Sequence, residues 1–347
     1  MPEHETRLSR RAALRGVGSA AAVGVSGLAG CNALGGGGDE LTVAYMPIYP
    51  DMQYFVMEEE GYFDEIDADV AAREFSDGPS IVQAYASGEI DVGLFGIVPA
   101  MIVIDRGIEA KVVAANIEEP MMLLAHDDFM PLWEEHGADA FAEFEEREGR
   151  KFSFGTFPEG SVPDILLRYW LIDEQGLQPG EDVEVVGMGG ANAVRQGLTT
   201  GEIDGTSIME PVPTLTEEAG DPYQQLALAG DFMPGQPAAV ALMDDSLRER
   251  EAGEQFVEQH VRATEFVTEN PETAAEHASA VIGEQTLSPE TARAAMESPL
   301  SNFVSDPREI ENGAEVFTEY AAELGKTDDR LTLDDVFDYD IYDSVTT

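Results

Sequence analysis

A nine-residue segment that occurs twice constrains the fold of this chain more than any other feature. The segment from Gln83 to Asp91 recurs between Gln196 and Asp204, and five of the nine positions are identical. Each copy ends in Gly-Glu-Ile-Asp and runs on through a short apolar stretch to a proline. Two copies about one domain apart indicate two similar α/β lobes, because a solenoid needs several short repeats.

Strand-like and helix-like segments alternate around both copies of the repeat. Apolar and β-branched runs predict strands, and the helices that follow them begin at caps or prolines and end at glycines. The predicted strands cover residues 41–45, 69–75, 90–94, 111–116, 152–155, 183–187, 203–208 and 238–243. This alternation predicts two parallel-sheet lobes with a cleft between them, faced by helix N-termini. The last third is predicted to be helical, without a sheet of its own, and to pack on one lobe.

The charge of the chain indicates an unusually acidic surface rather than a particular binding partner. Of the 347 residues 69 are acidic and 19 are basic, which gives a net charge of -50, and the acids are spread along the chain. This balance predicts the carboxylate-rich surface of a halophile, because net charge bears on solubility rather than on fold. Nucleic acid is excluded as a partner, since no basic patch is present to neutralise phosphates.

The N-terminus has the pattern of an export signal. Ser9-Arg10-Arg11 contains a twin arginine, and small and apolar residues lead from there to Leu28-Ala29-Gly30-Cys31, which resembles a lipobox. We expect residues 1–30 to be a twin-arginine lipoprotein signal, Cys31 to receive a lipid and residues 31–40 to be a flexible tether. An N-terminal membrane anchor is the alternative. The protein would lie on the extracellular face of the cell membrane.

Several motifs, in their order and spacing, resemble one family of transport proteins. They are Gly61-Tyr62-Phe63, the stretch from Ala86 to Gly93, Gly107 to Val113, Gly149 to Gly155, Gly201 to Gly205, and Gln236 to Val240. With the lipoprotein leader ahead of them, they resemble the nitrate, sulfonate and taurine branch of ABC-importer substrate-binding proteins, which includes thiamine-pyrimidine relatives. The resemblance runs from about Leu41 to Asp343.

This resemblance implies a two-lobed α/β fold of the periplasmic-binding-protein type (type II), with parallel-rich sheets flanked by helices. Residues 41–125 and 236–347 would form lobe 1 with the C-terminal helices, and residues 126–235 would form lobe 2. The chain would capture a small-molecule solute by hinge closure and deliver it to an ABC permease and its ATPase. The resemblance implies a monomer without a cofactor or a metal.

The candidate ligand residues lie in the turns where predicted strands lead into helices. In open α/β sheets ligands bind at the carboxyl ends of the strands, and the helix N-termini there suit anionic groups. In these turns we place Met46, Tyr49, Asp51, Ser76, Asp77, Phe95, Gly96, Thr156, Phe157, Ser161, Gly189, Asn192 and Glu210. The aromatic residues would contact the body of the ligand or, alternatively, close the core. Ser161 and Asn192 have the alternative of being ordinary helix caps.

The charge of the ligand stays open at this point. If Asp77 and Glu210 both face the cleft, they repel a small anion and favour a ligand with an amine or a ring N–H. Arg168 and Arg195 lie inside helices, so nitrate or a sulfonate would depend on backbone N–H groups. An anion and a neutral or zwitterionic organic solute are both candidates.

Two other functions fit a two-lobed binding fold. One is a sensor that binds a ligand but serves no transporter. The other is an enzyme that makes the thiamine pyrimidine, as one relative in the family does by cysteine and histidine chemistry. Here Cys31 is the only cysteine, and His4, His126, His136, His260 and His277 are scattered. No phosphate loop, nucleophile elbow, zinc motif or calcium loop is present, so we expect no catalysis.

Overall fold

The fold is described for residues 40–347 of a computed structural model. The predicted leader at residues 1–30, the lipidation site at Cys31 and the tether up to residue 39 lie outside the described residues. Within the described part, no helix is long and apolar enough to cross a membrane.

Residues 40–347 form twelve strands and sixteen α-helices. The strands are β1 (Glu40–Tyr45), β2 (Asp69–Glu74), β3 (Val92–Gly96), β4 (Ala110–Ala115), β5 (Ile117–Glu118), β6 (Met121–His126), β7 (Ser153–Thr156), β8 (Glu184–Gly187), β9 (Gly205–Met209), β10 (Tyr223–Leu228), β11 (Ala239–Asp244) and β12 (Asn302–Phe303). The helices are α1 (Met52–Glu59), α2 (Gly78–Ala86), α3 (Ile97–Asp105), α4 (Met130–His136), α5 (Ala140–Glu148), α6 (Val162–Tyr169), α7 (Ala191–Thr200), α8 (Val212–Ala219), α9 (Ala229–Phe232), α10 (Asp245–Arg248), α11 (Glu251–Glu269), α12 (Pro271–Ile282), α13 (Pro289–Met296), α14 (Glu311–Glu323), α15 (Leu333–Val336) and α16 (Asp340–Thr346).

The first sheet forms the centre of lobe 1. Its five strands have the order β2-β1-β3-β11-β4. β1 pairs in parallel with β2 and β3, whereas β11 runs antiparallel to β3 and β4. β1 to β4 therefore all end at the same edge of the sheet, which we call the lobe 1 edge. The central strands β3 and β11 are buried along nearly their whole length, as expected for a sheet covered by helices.

The second sheet forms lobe 2 and has a related arrangement, with the strand order β10-β6-β9-β7-β8. β7 pairs in parallel with β8 and β9, whereas β6 runs antiparallel to β9 and β10. The carboxyl ends of β7, β8 and β9 lie at one edge, the lobe 2 edge. β6 and β10 were not predicted as strands of this lobe. β6 (Met121–His126) belongs to the second sheet, so residues 121–125 pair there and not in the sheet of lobe 1, to which they were assigned.

The two Gly-Glu-Ile-Asp repeats occupy equivalent positions in the two lobes. Gly88 follows α2 with a φ of 70°, and Gly201 follows α7 with a φ of 67°. This left-handed backbone favours glycine and ends each helix. Ile90 and Ile203 are buried, at 4% and 1% exposure. The repeat is therefore structural: it ends a helix, fills the core and leads into β3 or β9.

The helices of the last third contact both lobes, whereas the sequence predicted contact with one. α11 packs on α1 of lobe 1, and α12 packs on both α1 and α13. α13 in turn contacts α8 of lobe 2, and α14 contacts both α3 and α6. This part also contributes one short strand, since β12 pairs with β5. The C-terminal helices thus connect the lobes on two sides.

Candidate functional site

Two chain segments connect the lobes, and both run between the lobe 1 edge and the lobe 2 edge. The first leaves the carboxyl end of β4 and enters β6 at Met121, which pairs with Met209 at the carboxyl end of β9. The second leaves β10 at Leu228 and enters β11 at Ala239, which pairs with Gly96 at the carboxyl end of β3. The two edges at which helices begin therefore face each other, and the space between them is the predicted cleft.

The two connections lie side by side and form the floor of the cleft. Glu119 N donates a hydrogen bond to Gln236 O at 2.7 Å, and Gly235 N donates to Glu119 Oε1 at 2.9 Å. Asn116 N donates to Ala239 O at 3.2 Å. Glu119 has a φ of 54°, a left-handed conformation that is uncommon for residues other than glycine. A rotation of one lobe against the other must be absorbed in these paired segments.

Tyr49 is the aromatic side chain that the lobe 1 edge contributes to the contact between the lobes. It is 2% exposed. Its hydroxyl oxygen lies 2.8 Å from Ser301 Oγ and donates to Met296 Sδ at 3.0 Å. Burial raises the pKa of the Tyr49 hydroxyl, and the negative charge of Glu210 in lobe 2 acts in the same direction. Tyr49 is therefore a neutral hydroxyl close enough to Glu210 to interact electrostatically with it.

Glu210 is a buried carboxyl group at the lobe 2 edge. It directly follows β9 and is 3% exposed. Thr214 N donates to Glu210 Oε2 at 3.2 Å, and the Ser298 side chain forms a further hydrogen bond with Glu210. Burial raises the pKa of the Glu210 carboxyl, although these hydrogen bonds act in the opposite direction. Glu210 therefore retains its proton to higher pH than an exposed glutamate does.

The loop after α13, residues 297–301, links these two side chains and was not predicted as part of the site. Its Ser301 contacts Tyr49 of lobe 1, and its Ser298 contacts Glu210 of lobe 2. Tyr49 and Ser301 are 252 residues apart in the chain. No local motif marks either serine. The packing of α13 against α8 and the pairing of β12 with β5 bring the loop to the cleft.

The loop between β7 and α6 provides hydroxyl groups without partners. Thr156 is fully buried, and neither Thr156 Oγ1 nor Ser161 Oγ has a hydrogen-bond partner among the described residues. Ser161 precedes α6 without capping it through its side chain, so the helix-cap alternative does not account for it. Phe157, between the two, is half-buried and packs against two hydrophobic clusters. These three residues stay candidates for ligand contact.

A second contact between the lobes lies beside this loop. The Lys326 side chain packs on Gly160 so closely that a Cβ there would meet Lys326 Cε at 2.3 Å. Lys326 Nζ lies 3.0 Å from Glu159 Oε1. Farther along, the Tyr320 hydroxyl of α14 donates to the Asp173 carboxylate, which follows α6. Lys326 was not predicted near the site, because nothing local in the sequence relates it to residues 159 and 160.

Three predicted site residues have other roles in lobe 1. Phe95 is fully buried, and its ring centroid lies 6.0 Å from that of Tyr85. It is therefore a core residue, which was the alternative to the predicted ligand contact. Asp77 is exposed and caps α2 by accepting a hydrogen bond from Ser80 N at 2.8 Å. The adjacent Ser76 is exposed, and its hydroxyl donates to Asp77 at 3.1 Å. Asp77 therefore places no buried charge between the lobes.

The remaining predicted residues lie at the two edges without defined contacts to a ligand site. Met46 and Gly96 are half-buried at the lobe 1 edge. Gly189 and Asn192 are exposed at the lobe 2 edge. Gly190, not Asn192, occupies the cap position of α7, so Asn192 is free of the helix-cap role given as its alternative.

Asp51 lies in a buried polar network behind the lobe 1 edge. Asn116 Nδ2 donates to Asp51 Oδ1 at 2.9 Å, and His260 Nε2 lies 3.0 Å from Asn116 Oδ1. Gln53 Nε2 donates to Asn116 O at 2.7 Å. Burial raises the pKa of Asp51 well above its ordinary value and lowers the pKa of His260 to about 3. These neutral groups hold Asn116, which begins the first connection between the lobes.

Two surface depressions lie away from the cleft. One, of about 440 Å³, is lined by residues around Lys111 and Arg330 at the amino end of β4. The other, of about 490 Å³, lies beside Lys151 and Arg168 in lobe 2. In the part of the chain that the structure describes, no three His, Cys, Asp or Glu side chains are grouped so that they could hold a metal ion.

Two α/β lobes with facing carboxyl edges, joined by two connections, define the periplasmic-binding-protein class of folds. Comparison with known families narrows this class. The chain belongs to the NMT1-like family, whose model matches residues 36–282.

Individual relatives are distant in sequence. A Brucella abortus protein that carries the provisional name of binding protein is 28% identical over 221 residues, which span 62% of this chain and 63% of that protein, less than two thirds of its length. The ligand-binding component of an ABC-type import system from Staphylococcus aureus has a TM-score of 0.69 at 16% identity, over 89% of this chain and 99% of that one. The periplasmic nitrate-binding protein of Synechocystis has a TM-score of 0.70 at 15% identity, over 88% of both chains. At these low sequence identities, the similarity to the solved structures shows a shared fold and nothing more.

Proposed function

We propose that this chain is the extracytoplasmic solute-binding component of an ABC importer, which closes its lobes on a small solute and delivers it to a permease. The contact between the lobes carries this proposal. Tyr49 of the lobe 1 edge and Glu210 of the lobe 2 edge are both buried there, and one C-terminal loop bonds to both. A cleft that closes over a few polar and aromatic side chains suits a small molecule.

Family membership and the structural neighbours support this proposal. The chain lies in the NMT1-like family. One neighbour is described as the ligand-binding component of an ABC-type import system, and another as a nitrate-binding protein of the periplasm. A permease and its ATPase would accordingly be the partners of this chain, and nitrate-like or organic solutes its first candidate ligands.

We further propose that the protein is held at the outer face of the membrane by a lipid on Cys31, after twin-arginine export. The sequence pattern at residues 9–31 motivates this part of the proposal. The net charge of -50 would keep such an anchored protein hydrated in concentrated salt. Mass spectrometry of the protein from native membranes tests the anchor, because an N-terminal peptide beginning at a lipid-modified Cys31 is expected.

The site supports binding without catalysis. His260 is fully buried in the network around Asn116, and burial lowers its pKa to about 3, which is unsuited to a general base near neutral pH. Cys31, the sole cysteine, precedes the folded lobes. The cysteine and histidine chemistry of a pyrimidine-forming enzyme therefore has no counterpart at the cleft residues identified above.

A thermal-shift screen of the full chain in molar potassium chloride tests solute binding. The panel covers nitrate, taurine, alkanesulfonates, pyrimidines and flavin-like rings, together with a low-molecular-mass cell extract. We expect at least one pure compound or the extract to raise the melting temperature, since a ligand that binds only the folded state stabilises it by mass action. If neither the panel nor the extract changes the melting temperature, the proposal is wrong.

Uptake by whole cells separates an importer component from a sensor. Deleting the gene should abolish uptake of the compound found in the screen, and a copy that encodes the intact chain should restore it. Normal uptake in the deletion strain would instead favour a sensor that shares the fold.

A further inference from the structure

The segments that border the cleft contain acidic residues but no basic ones. These cleft segments are residues 45–53, 75–79, 95–99, 116–120, 156–161, 187–192, 209–214, 233–238 and 297–301. They contain no lysine or arginine, and their acids are Asp51, Asp77, Glu118, Glu119, Glu159, Glu210 and Glu297. A small anion in the cleft would therefore find no positively charged side chain within the segments that form its walls and floor.

Three cations close to these segments are paired with carboxylates. Lys326 Nζ lies 3.0 Å from Glu159 Oε1. Arg168 Nε lies 2.9 Å from Asp164 Oδ2, and Arg195 is bound to Asp221 at 2.5 Å. Each of these charges is thus matched by a carboxylate, so that none is left over to neutralise a bound anion.

One acid of the cleft segments is both buried and placed between the lobes. Glu210 is 3% exposed, near Tyr49 and bonded to Ser298 and Thr214. A carboxyl group in such a position accepts N–H groups well and repels anions whenever it is ionised. A second buried acceptor lies in the floor of the cleft: Gln236 is fully buried, and its Oε1 has no hydrogen-bond partner among the described residues.

We propose that the cleft takes an uncharged or cationic organic solute whose amine or ring N–H donates to Glu210, and that it rejects nitrate, sulfate and simple sulfonates. This inference rests on the proposed solute-binding function and narrows its ligand class. The half-buried ring of Phe157 and the free hydroxyls of Thr156 and Ser161 suit the body of such a solute. Buried acceptors discriminate strongly, because a solute without donors leaves them unpaired.

Fractionation of the cell extract tests whether the ligand is uncharged or cationic, even though the solute itself is unidentified. The low-molecular-mass extract is passed over an anion-exchange resin at neutral pH, and the retained compounds are eluted with a volatile ammonium salt. Both fractions are then lyophilised and added to the full chain in molar potassium chloride. We expect the unretained fraction, which holds uncharged and cationic compounds, to raise the melting temperature. If the retained, anionic fraction alone raises it, the inference is overturned while the proposed function stands. If neither fraction does, the proposed function fails and the inference with it.

Two variants test the role of Glu210 directly. With the active fraction as the probe, Glu210→Gln should require at least about tenfold more of it for a half-maximal shift, because the amide loses the charged acceptor. Glu202→Gln removes an equal charge from the exposed surface of lobe 2 and should leave the half-maximal amount unchanged. Equal or tighter binding by Glu210→Gln would overturn the inference. Potassium nitrate and sodium ethanesulfonate, each at about 10 mM, should leave the melting temperature of the wild-type chain unchanged.

Discussion

The carboxylate of Asp204 accepts hydrogen bonds from both the backbone nitrogen and the hydroxyl of Ser153, at 2.9 and 3.0 Å. Asp204 ends the second copy of the repeat, and Ser153 begins β7. In lobe 1 the carboxylate of Asp91, at the same place in the first copy, accepts from Thr42 N in β1 at 2.7 Å. The last residue of each repeat thus joins the strand that follows it to a parallel neighbour, β3 to β1 in lobe 1 and β9 to β7 in lobe 2.

Asp204→Asn is therefore expected to destabilise the chain. The amide keeps the size of the side chain but loses the charged acceptor for Ser153 and the paired contacts of Arg150, at 2.5 and 2.7 Å. We expect the free energy of unfolding to fall by about 1–3 kcal/mol in urea titrations. Glu202→Gln, an exposed neighbour in the same repeat, should change it by less than about 0.5 kcal/mol. Equal effects of the two variants would contradict the structural role of Asp204.

Tyr49→Phe tests the contact between Tyr49 and the C-terminal loop. The variant removes the hydroxyl that lies 2.8 Å from Ser301 Oγ but keeps the ring. We expect solute affinity to fall about three- to tenfold, mainly through faster release, because the loop that also bonds to Glu210 loses a hydrogen bond to Tyr49. Stopped-flow fluorescence with the compound from the thermal-shift screen measures the release rate.

Tyr342→Phe is the matched control for this variant. Its hydroxyl lies 2.9 Å from Ser305 Oγ, in a similar tyrosine–serine pair outside the cleft segments. It should lower stability by a similar amount without altering the release rate. If both variants release the solute at the wild-type rate, the Tyr49–Ser301 contact does not contribute to closure.

The burial of His260 should make the stability of the folded chain depend on pH. Burial lowers its pKa to about 3 in the folded chain, against about 6.5 when unfolded. The unfolded chain therefore binds the proton first, so the stability that His260 contributes is complete above about pH 6.5 and is lost as the pH falls toward about 3. Between pH 7 and 5 the unfolding free energy of the wild-type chain should fall by about 2 kcal/mol more than that of His260→Gln. Parallel curves for wild type and His260→Gln would show that His260 is not held neutral by burial.

The local pattern of the sequence was sufficient for the eight predicted strands but not for β5, β6, β10 and β12. β1, β3, β7 and β9 lie within two residues of their predicted bounds, because caps and glycines mark their neighbours. β10 was missed because it begins Tyr-Gln-Gln, an edge strand with two exposed glutamines and a bulge where it pairs with β6. Its partner residues are distant in the chain, so no local pattern contains the pairing.

For the site, the sequence identified the turns but not which of their side chains meet. Tyr49 and Glu210 were both predicted, and the negative charge of Glu210 helps to raise the pKa of the Tyr49 hydroxyl. The sequence could not show whether Phe95 faces the ligand or the core, because the residues at the end of β3 do not reveal which face of the sheet the helices cover. Ser298, Ser301 and Lys326 were missed altogether, since tertiary packing alone relates them to the cleft.

Closure of the two lobes on a solute is the central claim, and a distance between the lobes measures it most directly. Spin labels on Glu59→Cys in α1 and Thr200→Cys in α7, both exposed, report this distance by pulsed electron resonance in a Cys31→Ser background. We expect a long or broad distance distribution without solute, and a shorter, narrower one when the active extract fraction is added. An identical distribution in both samples, while that fraction still raises the melting temperature, would contradict capture by closure.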